Sequence, residues 1–396
     1  MGVPGSGVDV GAVGRLRRAR TPARAETVGS LLRPATLRAA VARYYDEGHS
    51  GVLAEERAKD ASELRAIEDE AIREAVRRQI ACGLDVVTDG ECRRWMFMNS
   101  FYDAVAGVRT EKTVSFQNAD GEDVQLRIHE IVDRLRPVDS PGAREAAFMQ
   151  DASGGFPFKV TFPAASIFTH PFTTVVGQDG SGYSSLEEFV SDAVEIERRL
   201  VADAIRPGAT SIQFDFPLYP YLVDPAWVAR FTARGHRIEG LVDAAIAADT
   251  EVLRDVPADV TVALHICRGN FRSSWMCEGS LQPVADRVFG ALPYDAFLVE
   301  WDDLDRDGDL EPIRFLRAGA LMVMGIVSTK SPAMETEGTL LARMDEAAKI
   351  AGGLDRLAIS PQCGFASVVI GNSIDEDVQW RKLELVGRVA DRLWGA

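Results

Sequence analysis

Four side chains far apart along the chain carry the ligand types that zinc prefers: His265, Cys267, Glu300 and Cys363. Zinc held by three protein ligands keeps a fourth position open. A thiol entering that position loses its proton, because the metal stabilises the thiolate, and the thiolate is the nucleophile. The chemistry expected is therefore alkylation of a metal-activated sulfur. Two cysteine thiolates raise electron density on the ion and keep the bound sulfur nucleophilic, unlike His-rich hydrolytic centres. A plainer reading stands beside this one. Cysteines are often small buried apolar residues, and a histidine at a strand end is often held by a structural hydrogen bond. Cys277 is a rival ligand, whereas Cys82 and Cys92 lack ligand companions and read as structural.

Such a set needs elements that bring distant residues to one point. His265 and Cys267 are two apart at the end of the extended run 261–264, so they share a face. Glu300 ends the apolar run 297–299. Cys363 follows the run 357–359, and 321–324 leads into Gly325-Ile-Val-Ser328. Cys267 and Glu300 are 33 positions apart, and Glu300 and Cys363 are 63. A (β/α)8 barrel spends about 31 residues per strand–helix unit, so these gaps approximate one unit and two. Four further runs, 27–30, 84–87, 158–162 and 211–215, complete eight strands. Helical patterns alternate with them. Leu64, Ile67, Ile72, Val76 and Ile80 share one face, with Gly83 as the stop. Two more helices are expected over about 185–205 and 231–253. The fold class is α/β, a TIM-type barrel whose strand ends hold the candidate site.

Composition agrees. A chain of 396 residues with 46% hydrophobic content can build one large barrel with insertions. Residues 26–396 are read as that single catalytic domain, with an insertion after strand 2 at about 105–155. The polar stretch there suggests a small hairpin carrying Val114, Phe116, Val124 and Leu126. Residues 1–25 contain Arg15, Arg17, Arg18, Arg20 and Arg24 among Ala and Gly and read as a disordered Arg-rich tail, with a targeting segment as the other reading. A net charge of −16 disfavours nucleic acid. No apolar run reaches the ~18 residues of a membrane span. Five irregularly spaced cysteines do not form a disulfide framework and suggest a reducing cytoplasm. The composition is compatible with a homo-oligomer.

Several motifs resemble the catalytic barrel of the cobalamin-independent methionine synthase family. They are His265-Ile-Cys-Arg-Gly-Asn270, Val299-Glu-Trp-Asp302 and Ser360-Pro-Gln-Cys363-Gly-Phe365. Thr27-Val-Gly-Ser-Leu31, Gly83-Leu-Asp-Val-Val-Thr-Asp-Gly-Glu91 and Ile212-Gln-Phe-Asp215-Phe-Pro217 extend the resemblance over nearly the whole chain. It implies a TIM barrel, a zinc cofactor and transfer of an alkyl group from a small-molecule donor to a zinc-bound thiol acceptor. It also implies His265, Cys267 and Cys363 as zinc ligands, with Glu300 as the ligand a substrate thiol displaces. Glu91 and Asp215 are the candidate catalytic acids, although capping or a rim ion pair would also account for them. Ser30, Ser328, Lys330 and Arg268 are the candidate substrate-binding residues.

Departures from the family qualify the acceptor. Full-length members have two barrels and this chain has room for one. Ser328 stands where the family holds an acid for the homocysteine ammonium, with Lys330 two positions on. Phe216 replaces the second acid of the Ile-Gln-x-Asp-Glu-Pro motif. The leading expectation is methyl transfer to homocysteine. One alternative is epoxide opening by an anionic thiol such as coenzyme M, with Lys330 and Arg268 receiving the sulfonate. Another is a non-catalytic zinc- or ligand-binding barrel.

Overall fold

The apolar runs form strands in the computed structural model, which describes residues 22–45, 61–109, 113–117, 123–127, 129–171 and 181–395. In chain order the strands are β1 (Val105–Arg109), β2 (Thr113–Gln117), β3 (Asp123–Arg127), β4 (Glu130–Pro137), β5 (Lys159–Pro163), β6 (Ser211–Asp215), β7 (Thr261–Ile266), β8 (Ala296–Glu300), β9 (Leu321–Val327) and β10 (Leu357–Pro361). β5 to β10 form one parallel sheet in sequence order. Two short parallel segments close it: Ala25 pairs with Ile359, Glu26 with Val86, and Val87 with Phe158. The result is an eight-position barrel, in which the expected strand 84–87 is reduced to bridges at Val86 and Val87, and the expected strand 27–30 is replaced by bridges just before it, at Ala25 and Glu26.

Alternation along each strand divides two cores. Leu264, Phe297, Val299, Met322 and Ile359 pack outward in the large cluster that includes the helices. Their neighbours Ala263, Ala296, Leu298, Val323 and Ala358 join Val28 in a small inner cluster. The inner wall also holds polar groups. Lys159 Nζ donates to Glu26 Oε2 and to Gln213 Oε1, both at 2.6 Å, and Gln213 Nε2 donates to Asp215 Oδ1 at 2.6 Å. A buried ammonium in a barrel survives only with such partners.

Three expectations change. Arg24 and Ala25 belong to the barrel rather than to the tail. Asp85 Oδ2 accepts both of their backbone N–H groups, at 2.7 and 3.0 Å, and this holds the segment against the sheet. Arg15, Arg17, Arg18 and Arg20 lie outside the described residues. The helix expected over 231–253 is two helices, Pro225–Ala233 and Ile238–Glu251, because the chain turns at Gly235 with φ 85°. The insertion is larger than one hairpin: β1 pairs antiparallel with β4, β2 with β3, and a helix at Pro141–Ala152 follows. Among the described residues no helix is long and apolar enough to cross a membrane.

Candidate metal centre

β7 carries His265 inward, and Cys267, two positions on, shares that face just past the strand end. β10 ends at Pro361, and the following turn brings Cys363 back across the barrel mouth. The turn depends on Gly364, where a Cβ would collide with the Ser30 hydroxyl. The ligand atoms of His265, Cys267 and Cys363 all lie within 4.8 Å of one another, and all three residues are buried. Ligands around a tetrahedral zinc at about 2.0–2.3 Å sit on the order of 3.3–3.8 Å apart. The donor set and its spacing therefore fit a metal ion.

The set also shares protons. Cys363 is held well below the usual thiol range by the hydrogen bond from Cys267 and, against burial, by His265. Cys267, the thiol donor in that bond, is pushed up. Burial disfavours a charged His265, but its hydrogen bonds to Asp215 and Cys363 outweigh this and lift it to about 10. Metal binding to such ligands releases protons, so an ion would take over the task these protons perform. Asp215 Oδ1 lies 3.0 Å from His265 Nδ1, and the Gln362 carbonyl lies 3.2 Å from Nε2. Asp215 thereby orients the imidazole, as carboxylates commonly do for metal-binding histidines.

Glu300 stands outside this set. Its Oε1 takes Lys330 Nζ at 2.6 Å and Arg306 Nη2 at 2.7 Å, and its Oε2 accepts the Arg268 backbone N–H. Burial alone would raise its pKa, yet Lys330, Arg306 and Arg268 hold it below the usual range. A fully buried carboxylate takes the cations within reach. The same contacts answer the question of Lys330 and Arg268 as receptors for an anionic substrate. Lys330 is paired with Glu300, and Arg268 is fully buried, 3.9 Å from Asp307. Neither residue lines the cavity beside the cysteines. Ser328 is also away from that cavity; its hydroxyl accepts the Lys330 N–H and its own N–H goes to Glu335. Ser30 does line it, and receives the Ala366 N–H. Cys277 donates towards the Arg268 carbonyl and is not part of the cluster.

That cavity, of about 160 Å³, opens from the cysteines between Glu91, Asp215, Tyr102, His129, Phe216 and Tyr221. Glu91 sits in the loop after the second barrel position with φ 55°. Its Oε1 accepts from Thr161 at 3.0 Å and lies 3.7 Å from Arg94, while Oε2 has no partner among the described residues. Burial raises this carboxyl to about 7 despite Arg94. Phe216 also has a left-handed backbone, φ 62°, fixed by its N–H on the His265 carbonyl. Such strain in a bulky residue costs on the order of 1–3 kcal/mol and clusters at functional sites.

The catalytic-domain model of the cobalamin-independent synthase family matches residues 161–376. The chain belongs to this family. The match contains Asp215, His265, Cys267, Glu300 and Cys363 and stops short of Ser30 and Glu91. Over 392 residues the chain is 31% identical to the protein YxjH of Bacillus subtilis (strain 168), with 96% of each chain covered. It is 24% identical over 311 residues to the methionine synthase of Methanothermobacter marburgensis, covering 74% of this chain and 82% of that one. The crystal structure of a putative vitamin-B12 independent methionine synthase from Listeria monocytogenes superposes with a TM-score of 0.70 at 25% identity. That superposition covers 95% of this chain and 99% of the other. The family and the strand order together make the architecture a TIM barrel.

Sequence reasoning missed His129, Tyr102 and the Glu26–Lys159–Gln213 group. His129 and Tyr102 stack with ring centroids 3.7 Å apart and both line the cavity. His129 comes from the insertion, whose path no barrel spacing predicts. The neighbouring Tyr219 does not line the cavity and donates to Asp249 at 2.7 Å in the core.

Proposed function

We propose that the chain is an S-methyltransferase of the methionine synthase type, holding zinc through His265, Cys267 and Cys363 and moving a methyl group onto a substrate thiol. One observation carries the reading: three soft or borderline ligand atoms within 4.8 Å, supplied by separate strand ends at the mouth of a barrel. When bound, zinc would lower the pKa of an entering thiol and keep its sulfur nucleophilic. The chain's own residues prepare that event. Asp215 fixes the His265 tautomer and ring plane. Lys330 and Arg306 keep Glu300 ionised beside the cysteines, and their grip sets how readily it serves as the exchangeable fourth ligand. The apolar cavity walls exclude water from the alkyl donor.

Metal analysis of the purified protein tests this. Wild type should carry one zinc per chain and methylate homocysteine. Removing a ligand should cost more than the ~10–100-fold in metal affinity typical of outer partners. Cys363→Ser should therefore lose its zinc and its turnover with unchanged far-UV circular dichroism, while Cys277→Ser keeps both. Stoichiometric zinc and full turnover in Cys363→Ser would refute the assignment.

A further inference from the structure

The barrel interior holds a polar chain that the methyl-transfer reading leaves unused. It starts at Lys159, the first residue of β5, and ends on His265 of β7. Parallel register sets its links. Asp215 on β6 lies directly opposite His265, and Gln213, two positions earlier on β6, shares the inward face with Asp215. Gln213 lies opposite Thr161 of β5, so Lys159, two positions before Thr161, reaches up to it. Lys159 Nζ donates to Gln213 Oε1 at 2.6 Å, and Gln213 Nε2 donates to Asp215 Oδ1 at 2.6 Å. That same carboxylate oxygen lies 3.0 Å from His265 Nδ1. All four side chains are buried.

The Gln213 amide has a direction, and its neighbours permit only one. Nε2 also donates to the Val28 carbonyl at 2.7 Å. Turned over, the amide would aim its oxygen at a carboxylate and a carbonyl, and its N–H groups at an ammonium. All three contacts would then set like against like, where unpaired polar groups are costly. Of the three neighbours only Lys159 donates. It fixes the amide oxygen and so turns the N–H groups toward Asp215. Glu26 Oε2, 2.6 Å from Lys159 Nζ, supplies the counter-charge, so the ammonium stays in the wall without drawing Asp215 away from His265. With Asp215 kept on Nδ1, Nε2 is the imidazole nitrogen left for an ion.

We propose that Lys159 and Gln213 are positioning residues for the metal centre: Lys159 sets the direction of the Gln213 amide, and Gln213 holds Asp215 where it presents His265 to the ion. This rests on the zinc reading above and carries it from the barrel mouth down into the wall. Neither residue touches the ion or a substrate; each acts through the next.

Variants of the full-length protein test this, with zinc affinity read by chelator competition and His265 read by proton–nitrogen NMR of labelled imidazoles. Gln213→Met keeps the shape and removes the amide contacts. It should bind zinc roughly tenfold more weakly, the low end of the ~10–100-fold typical of groups that support ligands. The double variant Glu26→Leu, Lys159→Met removes the ion pair without stranding either charge and should weaken zinc to a similar degree. In both, the hydrogen-bonded Nδ1–H proton of His265, present in the metal-free wild type, should broaden or vanish. Glu26→Gln keeps an oxygen for Lys159 but removes the counter-charge. It should lower the melting temperature yet leave zinc affinity within about twofold and the Nδ1–H signal in place. Wild-type zinc affinity and an unchanged Nδ1–H signal in Gln213→Met would overturn the proposal. A loss of zinc affinity in Glu26→Gln as large as that in Gln213→Met would also overturn it, because the effect would then be one of stability alone. The zinc reading fails separately: a wild type that binds no stoichiometric zinc rejects the ligand set, while the metal-free NMR comparison still decides whether Lys159 and Gln213 place His265.

Discussion

Glu197 is fully buried on the helix Leu186–Ile205, and neither carboxylate oxygen has a hydrogen-bond partner among the described residues. Burial, reinforced by Asp249, pushes its carboxyl well above the ordinary value. The folded state therefore favours the protonated acid. The associated stability is complete below the unfolded pKa of about 4.3 and is lost progressively as pH rises through the folded value. Glu197→Gln removes the ionisation without removing the shape. Chemical denaturation across pH 4 to 9 should show the variant gaining on wild type as pH rises, with the difference flat at the acid end. A difference independent of pH would contradict an orphan carboxylate. At this scale the sequence was a partial guide. His265, Cys267 and Cys363 were legible because their types and spacing say what they bind. Lys159 was visible as a cation in the apolar run Phe158-Lys-Val-Thr-Phe162. Its partners Glu26 and Gln213, however, are 133 and 54 positions away, and register alone brings them together.

Elements explain why Glu91 can face the cavity at all. Gly29, in the segment that closes the barrel, leaves the space: a Cβ there would lie 2.9 Å from Glu91 Oε1 and 3.2 Å from the Thr161 methyl. Gly29→Ala should displace the Glu91 carboxylate while the sheet stays intact. Misplacement by about 1 Å can cost ~100-fold in rate. The expected outcome is a fall in kcat/KM of that order with near-normal zinc content and a small change in melting temperature. Wild-type kinetics would show that Glu91 has no positional role. Seven barrel positions were legible as short runs of strand length ahead of a polar or ligand-bearing end, whereas Thr27-Val-Gly-Ser30 is scarcely apolar and the pairing there falls just before it, at Ala25 and Glu26. That segment and 84–87 form only bridges, at Ala25, Glu26, Val86 and Val87, because their pairing is local to the closure. The cavity wall was less legible. Phe216 reads as a lost acid in sequence, and only its backbone conformation and ring contacts reveal an aromatic wall.

At the scale of the whole molecule, the three candidate ligands join β7 to the turn after β10, on different sides of the barrel mouth. An ion held by them would tie together segments separated by nearly a hundred residues. It would also favour the folded chain, because the unfolded chain does not preform the site. With free zinc a thousandfold above its Kd, that linkage is worth about 4 kcal/mol. In a chain of this size such a change should move the melting temperature by several degrees, on the order of 5 °C. Chelation of the wild-type protein should lower the melting temperature by this amount, and added zinc should restore it. Cys363→Ser should respond to neither. Glu197→Gln, altered far from the ligands, should respond as wild type does. Hydrogen exchange should rise on chelation mainly around residues 265–270 and 361–365, with the helix Leu186–Ile205 unchanged. If a stoichiometrically loaded protein melts at the same temperature with and without chelator, the end of β7 and the turn after β10 are not held by a metal, and the proton-sharing arrangement of His265, Cys267 and Cys363 is sufficient by itself to hold them together.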